Sequence, residues 1–260
     1  MLVMDHMDMD LRKYLKQNHN LTWKERIKIT VDIVDSLLRI HKENEIHRDL
    51  HSGNILYSKY YNNWYISDLG FCGPADKPLN IVYGNLPYMA PEVISGKEYT
   101  YASDIYSIAI IMWEISSGQP PFINYEHDYY LAMDIINGMR PKIVPETPSE
   151  YKKLMKQCWN ANPLERPNID MLWDEIIKLN KYYYQNMTDR SSNSKSTNML
   201  DVRNIINRSS RFSRLSGGST SILNTDTSRL FHTSKLHSFD ILPEPRNATE
   251  GILANLFESL

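Results

Sequence analysis

The chain has 260 residues, 42% of them hydrophobic and five of them tryptophan, which is ample material for a buried core. Its 29 basic and 31 acidic side chains leave a formal charge of −2, spread along the chain, which argues against a general electrostatic pull toward nucleic acid or membrane. Two cysteines, Cys72 and Cys158, far apart and without metal-ligand spacing, argue against a disulfide framework or a zinc site and suit a reducing compartment.

The opening run MLVMDHMDMD carries acids where a secretory signal carries bases, and no apolar run is long enough to cross a bilayer, so a cytoplasmic or nuclear location is expected. A short helix is predicted over residues 9–17. A long one follows in TWKERIKITVDIVDSLLRIHKEN, where Ile27, Val31, Val34, Leu37 and Leu38 share a face and Thr22 stands as the N-cap. That helix delivers the chain to IHRDLHSGNILY, residues 46–57, a polar cluster between two apolar runs that read as short strands. A loop fixed at both ends can hold several polar groups at one point.

Further on, YASDIYSIAIIMWEISSGQPPF is apolar nearly all round and predicts a central buried helix ending at Gly118. Shorter helices are predicted over 126–138 and 149–159, and an amphipathic terminal helix begins with Pro167 in PNIDMLWDEIIKLNKYYY. Beyond Thr188 the texture changes to Ser-, Thr-, Asn- and Arg-rich runs with few hydrophobes to offset the entropy of ordering them, so residues 184–260 are expected to form a disordered tail. Its end places Ile252, Leu253, Leu256, Phe257 and Leu260 at helical spacing, a short helix that could dock on a protein partner.

Five short motifs occur in order: HRDLHSGN, WYISDLGF, YGNLPYMAPEV, SDIYS and NPLERP. With them the chain resembles the C-terminal lobe of a eukaryotic protein kinase over residues 1–183. The fold implied is mainly α, a large lobe with short β-hairpins at the catalytic loop and no complete small lobe. The activity implied is phosphoryl transfer from ATP to hydroxyl groups of a protein substrate, with Mg²⁺ as cofactor and no nucleic-acid or membrane partner. Because the transferred group is highly charged, such catalysis is mostly positioning and charge neutralisation.

By that resemblance Asp49 accepts or orients the proton of the acceptor hydroxyl, and Asn54 and Asp68 ligate Mg²⁺, a cation that prefers hard oxygen donors and keeps several waters. Met4 lies near the gatekeeper position, Asp5 and Met7 offer backbone hydrogen bonds to adenine, Asp10 lies near the ribose, and Leu56 floors the purine site. His47 packs at the base of the loop, Asp104 caps the loop backbone, and Glu92 pairs with Arg166. Arg48 can pair with a phosphate in the activation segment. Between Asp68 and Glu92 the only hydroxyl side chains are Tyr83 and Tyr88; Tyr88 is expected to be packed, so if phosphorylation within this segment switches the protein the site is Tyr83, the alternative being that Tyr83 is a packed aromatic and the segment needs no phosphate.

The chain also departs from the family. No glycine-rich loop, phosphate-pairing lysine or glutamate partner of that lysine occurs in these residues, so the resemblance covers the hinge and large lobe only, and little kinase activity is expected of this chain by itself. A catalytically inactive pseudokinase or docking module is the alternative. His51 stands where serine/threonine kinases carry a lysine, able to donate a hydrogen bond more strongly when protonated. Asn85 stands where a threonine is familiar, so the choice between Ser/Thr and Tyr acceptors is open. DLG replaces DFG and keeps the metal ligand.

Overall fold

Residues 7–74, 82–191, 234–238 and 242–247 are described in the computed structural model. Met4, Asp5 and the helical spacing over 252–260 lie outside them. Asp10 closes a two-residue strand, β1 (Met9–Asp10), and its carboxylate accepts the Lys13 N–H at 2.8 Å, which caps α1 (Leu11–Gln17). The helix begins two residues later than its apolar spacing indicates, because the capping residue must keep an extended backbone. In α2 (Trp23–Lys42) the cap is reciprocal: Thr22 accepts from the Glu25 N–H and the Glu25 carboxylate accepts from the Thr22 N–H. Its face of Ile27, Val31, Val34 and Leu37 is buried.

Four short strands follow, β2 (Glu45–Ile46), β3 (Ile55–Ser58), β4 (Asn63–Ile66) and β5 (Gly73–Pro74), and a fifth, β6 (Val82–Gly84), precedes the helix α3 (Pro91–Ile94). Strand β3 pairs antiparallel with both β1 and β4, and β2 pairs antiparallel with β5. These ladders pin both ends of the polar loop. The helix α4 (Tyr101–Ser117) is buried without a break from Ser103 to Ser116 and stops at Gly118, whose φ of 73° is a left-handed conformation that costs glycine little.

Helices α5 (Tyr129–Ile136) and α6 (Ser149–Cys158) stay within the predicted ranges, α5 starting late because Asp128 caps it. The last helix, α7 (Ile169–Ser191), starts two residues after Pro167: Asn168 accepts from the Met171 N–H and takes the capping position. It packs on α2, and α2, α6 and the 3-10 turn Leu86–Tyr88 pack around α4. The result is the mainly helical lobe with small antiparallel ladders that the sequence indicates.

One difference is large. Within the stretch expected to be disordered, residues 234–238 and 242–247 lie on the lobe. Strand β7 (Lys235–His237) pairs antiparallel with β6, in the register Val82↔His237, Tyr83↔Leu236 and Gly84↔Lys235. Leu242 packs against the core, and Lys97 and Glu244 form an ion pair at 2.6 Å. The expectation of disorder does not hold for these residues, because main-chain pairing and a few anchors offset an ordering cost that their composition alone cannot.

Candidate active site

The loop between β2 and β3 is held from below by one carboxylate. Asp104, in the first turn of α4, accepts the backbone N–H groups of His47 at 2.9 Å and Arg48 at 3.0 Å, and also contacts His41 Nε2 at 2.9 Å. Those donors supply the hydrogen bonds that a buried carboxylate requires. Arg48 takes a left-handed backbone, φ 71°, which turns the chain sharply at this point. His47 is buried; its Nδ1 accepts from the Asp49 N–H at 3.2 Å, so Nε2 carries the proton and donates to the Ser67 carbonyl at 3.0 Å. Burial lowers its pKa and keeps the ring neutral.

Asp49 emerges from this scaffold only 5% exposed. Burial pushes its pKa up to about 6, and the Asp68 charge adds to the rise, while the Ser234 hydroxyl and an Asn85 backbone hydrogen bond pull it down. The Ser234 hydroxyl donates to Asp49 Oδ1 at 2.6 Å. His51 Nε2 lies 3.9 Å from Asp49 Oδ2, beyond hydrogen-bond distance. Burial, aided by the Arg12 charge, pushes the pKa of His51 down to about 3, so the ring is neutral at ordinary pH. Its Nδ1 accepts the Gly53 N–H at 3.1 Å, which leaves the proton on Nε2. The protonated donor considered from the sequence is therefore replaced by a weaker, neutral N–H. A Cβ at position 53 would stand 2.9 Å from the His51 ring, so glycine permits this approach.

Asn54 and Asp68 are brought together by the β3–β4 hairpin. The Ser67 N–H and hydroxyl both donate to the Asn54 carbonyl, at 2.8 and 2.9 Å, and Asp68 follows directly. Asn54 Nδ2 donates to the Asp49 carbonyl at 3.0 Å, which fixes the amide group and leaves its oxygen as the atom that would ligate a metal. Asp68 is exposed, in a left-handed backbone with φ 59°, and one of its oxygens accepts from Gly70 at 3.4 Å. One amide oxygen and one carboxylate suit Mg²⁺, which would draw its remaining ligands from water and phosphate. Among the described residues no cluster of three or more His, Cys, Asp or Glu side chains competes for a metal.

On the nucleotide side, half-buried Leu56 pairs across the ladder with Asp10. The Asp10 carboxylate is already engaged as the cap of α1 and in an ion pair with Lys13 at 3.1 Å. Half-buried Met7 leads into β1, where the Asp8 N–H donates to the Tyr57 carbonyl at 2.9 Å.

Glu92 and Arg166 form a bidentate pair, 2.6 and 2.7 Å, with both side chains buried. Arg48 donates to the carbonyls of Phe71 at 3.2 Å and Pro74 at 2.9 Å, while the Tyr83 ring stacks on Phe71 with centroids 3.9 Å apart and its carbonyl accepts from the Tyr99 hydroxyl. The arginine thus serves main-chain carbonyls of the activation segment in this conformation. Burial raises the pKa of the Tyr83 phenol.

Sequence reasoning missed a network under the loop. Glu114 of α4 accepts from the hydroxyls of Ser52 at 2.9 Å and Tyr88 at 2.6 Å, and Arg12 donates to Ser52 at 3.2 Å. Burial raises the pKa of both Glu114 and Tyr88. The signal was present: an acid in the middle of the apolar run IIMWEIS needs a partner.

Comparison with known proteins agrees with this geometry. The family model for the protein kinase domain matches residues 1–177. The human dual serine/threonine and tyrosine protein kinase is 33% identical over 171 residues, 64% of this chain and 18% of that protein. The dual specificity protein kinase zakA of Dictyostelium discoideum is 32% identical over 175 residues, 61% of this chain and 22% of that protein. The chain belongs to the protein kinase family. It spans only about a fifth of the length of these two relatives. No helix among the described residues is long and apolar enough to cross a membrane.

Proposed function

We propose that the lobe carries the acceptor side of an ATP-dependent protein phosphotransferase, with Asp49 as the base for the acceptor hydroxyl. The observation that carries this reading is the serine hydroxyl 2.6 Å from Asp49 Oδ1, the distance at which a base receives a proton. Asn54 and Asp68 would hold Mg²⁺, which neutralises phosphate charge during transfer. His47 and Asp104 act through Asp49 by fixing the loop, and neutral His51 borders the acceptor. Met7, Asp10 and Leu56, with Met4 and Asp5, form the nucleotide side of the reading. Tyr83 is the activation-segment hydroxyl assigned to a switching phosphate.

Mg-ATP titration of the 260-residue chain, followed by thermal unfolding, tests the nucleotide site. Saturation at 100 times Kd is expected to stabilise the fold by about 2.7 kcal/mol. Asp68→Ala is expected to remove the magnesium-dependent part of that gain. No gain in the unaltered chain would favour a docking module without nucleotide chemistry.

The raised pKa of Asp49 carries a pH signature. The base works when ionised, and below about pH 6 it is increasingly protonated. In the enzyme at its native length, kcat/KM is therefore expected to fall tenfold per pH unit below about 6 rather than below the ordinary aspartate pKa near ~4. A limb near the lower value in a pH–rate profile would contradict the buried base.

A further inference from the structure

Residues 234–238 and 242–247 run along the edge of the activation segment and past Asp49. Strand β7 adds to the edge of β6, in the activation segment, by main-chain pairing, the usual way an extended peptide docks on a strand. The pairing sets Ser234 just beyond Lys235, the partner of Gly84, and directs its hydroxyl onto Asp49. Two side chains fix the register: Lys235 Nζ donates to the His127 carbonyl at 3.1 Å, and His237 Nε2 meets the Gly84 carbonyl at 3.1 Å.

The contacts continue downstream. Ser95 donates to the Pro243 carbonyl, Lys97 pairs with Glu244, and Asn247 accepts the Ala161 N–H at 2.7 Å. Roughly forty residues separate α7 from Ser234 and could span about 130 Å if extended, so the connection reaches within one chain.

The geometry points to the chain's own residues 234–238 and 242–247 as the occupant of its protein-substrate groove, with Ser234 as a phosphorylation site modified in cis. This rests on the phosphotransfer reading above and names its acceptor, a serine hydroxyl. In the step, Ser234 Oγ forms a bond to the γ-phosphorus of a nucleoside triphosphate as the bond from that phosphorus to the β,γ-bridging oxygen breaks. The hydroxyl proton passes to Asp49, and the nucleoside diphosphate leaves with the bonding electron pair. Until then the segment excludes other substrates. Afterwards a phosphoserine facing Asp49 and Asp68 is repelled, and the groove opens.

Occupancy is tested without catalysis. Tyr83 and Leu236 are paired across an antiparallel ladder, where directly opposed Cα atoms stand about 4.5–5.5 Å apart, within disulfide range. On oxidation the Tyr83→Cys/Leu236→Cys chain is expected to close an intramolecular disulfide, identified by peptide mapping. A bond to Cys72, or one between chains, overturns docking in cis. In the unaltered chain a carbodiimide is expected to couple Lys97 to Glu244, and absence of both cross-links overturns the proposal.

The acceptor role is tested by mapping phosphates in the protein purified at its native length, after incubation with Mg-ATP and a generic protein substrate. Phosphate on Ser234, at a rate independent of enzyme concentration, is expected. A phosphorylated generic substrate with Ser234 unmodified overturns the acceptor role and leaves the phosphotransfer reading standing. No transfer to either overturns both, and the cross-links then report an occupied groove without chemistry.

Discussion

Replacing Asp49 with asparagine is expected to lower phosphotransfer by about 10²–10⁴-fold in the enzyme at its native length, the range general-base removal produces. Asparagine keeps the shape and an oxygen able to accept the hydroxyl hydrogen bond now made by Ser234, but it cannot take the proton. Mg-ATP binding should survive, because Asn54 and Asp68 are untouched; Asp68→Ala should lose both binding and turnover. That contrast separates the base from the metal ligand. Near-normal turnover in Asp49→Asn would move the base elsewhere.

Stability should move the other way. The folded pKa of Asp49 is raised to about 6 by burial, so the native state holds its proton more tightly than the unfolded chain does. The associated stability is complete below the unfolded pKa and is lost as pH rises through about 6, a loss on the order of 2–3 kcal/mol. At pH 7 Asp49→Asn should therefore unfold at a higher temperature than the parent chain, and the difference should vanish near pH ~4. A variant less active yet more stable excludes unfolding as the cause of lost turnover.

What the sequence makes legible follows from where each interaction is encoded. The polar loop, the DLG turn and the helices were readable because their determinants are contiguous: spacing within a helix, caps at its start, and polar residues a few positions apart. Asp104 and Arg166 were readable only through the family resemblance, since their partners lie 56 and 74 residues away. The docked tail was not readable at all. Its recognition runs through the N–H and C=O groups of β7, which every sequence carries, and through single side-chain anchors on distant elements, so composition alone registers only the Ser- and Asn-rich texture. The contacts Arg48 makes here were hidden for a related reason: the Phe71 and Pro74 carbonyls it binds leave no mark on residue identity. The neutral state of His51 depends on burial by distant elements, which no local pattern reports.

Glu92→Ala should destabilise the lobe by about 3–5 kcal/mol, the cost of breaking a buried pair from one side. Arg166 is 6% exposed and Glu92 4%, so neither charge can recover its hydration in place. In the parent, Arg166 spends two nitrogens on the Glu92 carboxylate and also donates to the carbonyls of Asn160 at 2.8 Å and Ala102 at 2.8 Å. Those carbonyls remain in the variant, and they offset part of the charge without neutralising it. The pair joins α3, at the end of the activation segment, to the turn before α7, so its loss should loosen the segment that carries β6 as well as lower global stability. Arg166→Met should cost less than Glu92→Ala if the penalty comes from the stranded guanidinium, because it leaves a carboxylate that can be protonated. Urea unfolding of the three proteins measures the order. Equal midpoints for Glu92→Ala and the parent would show that water reaches this pair.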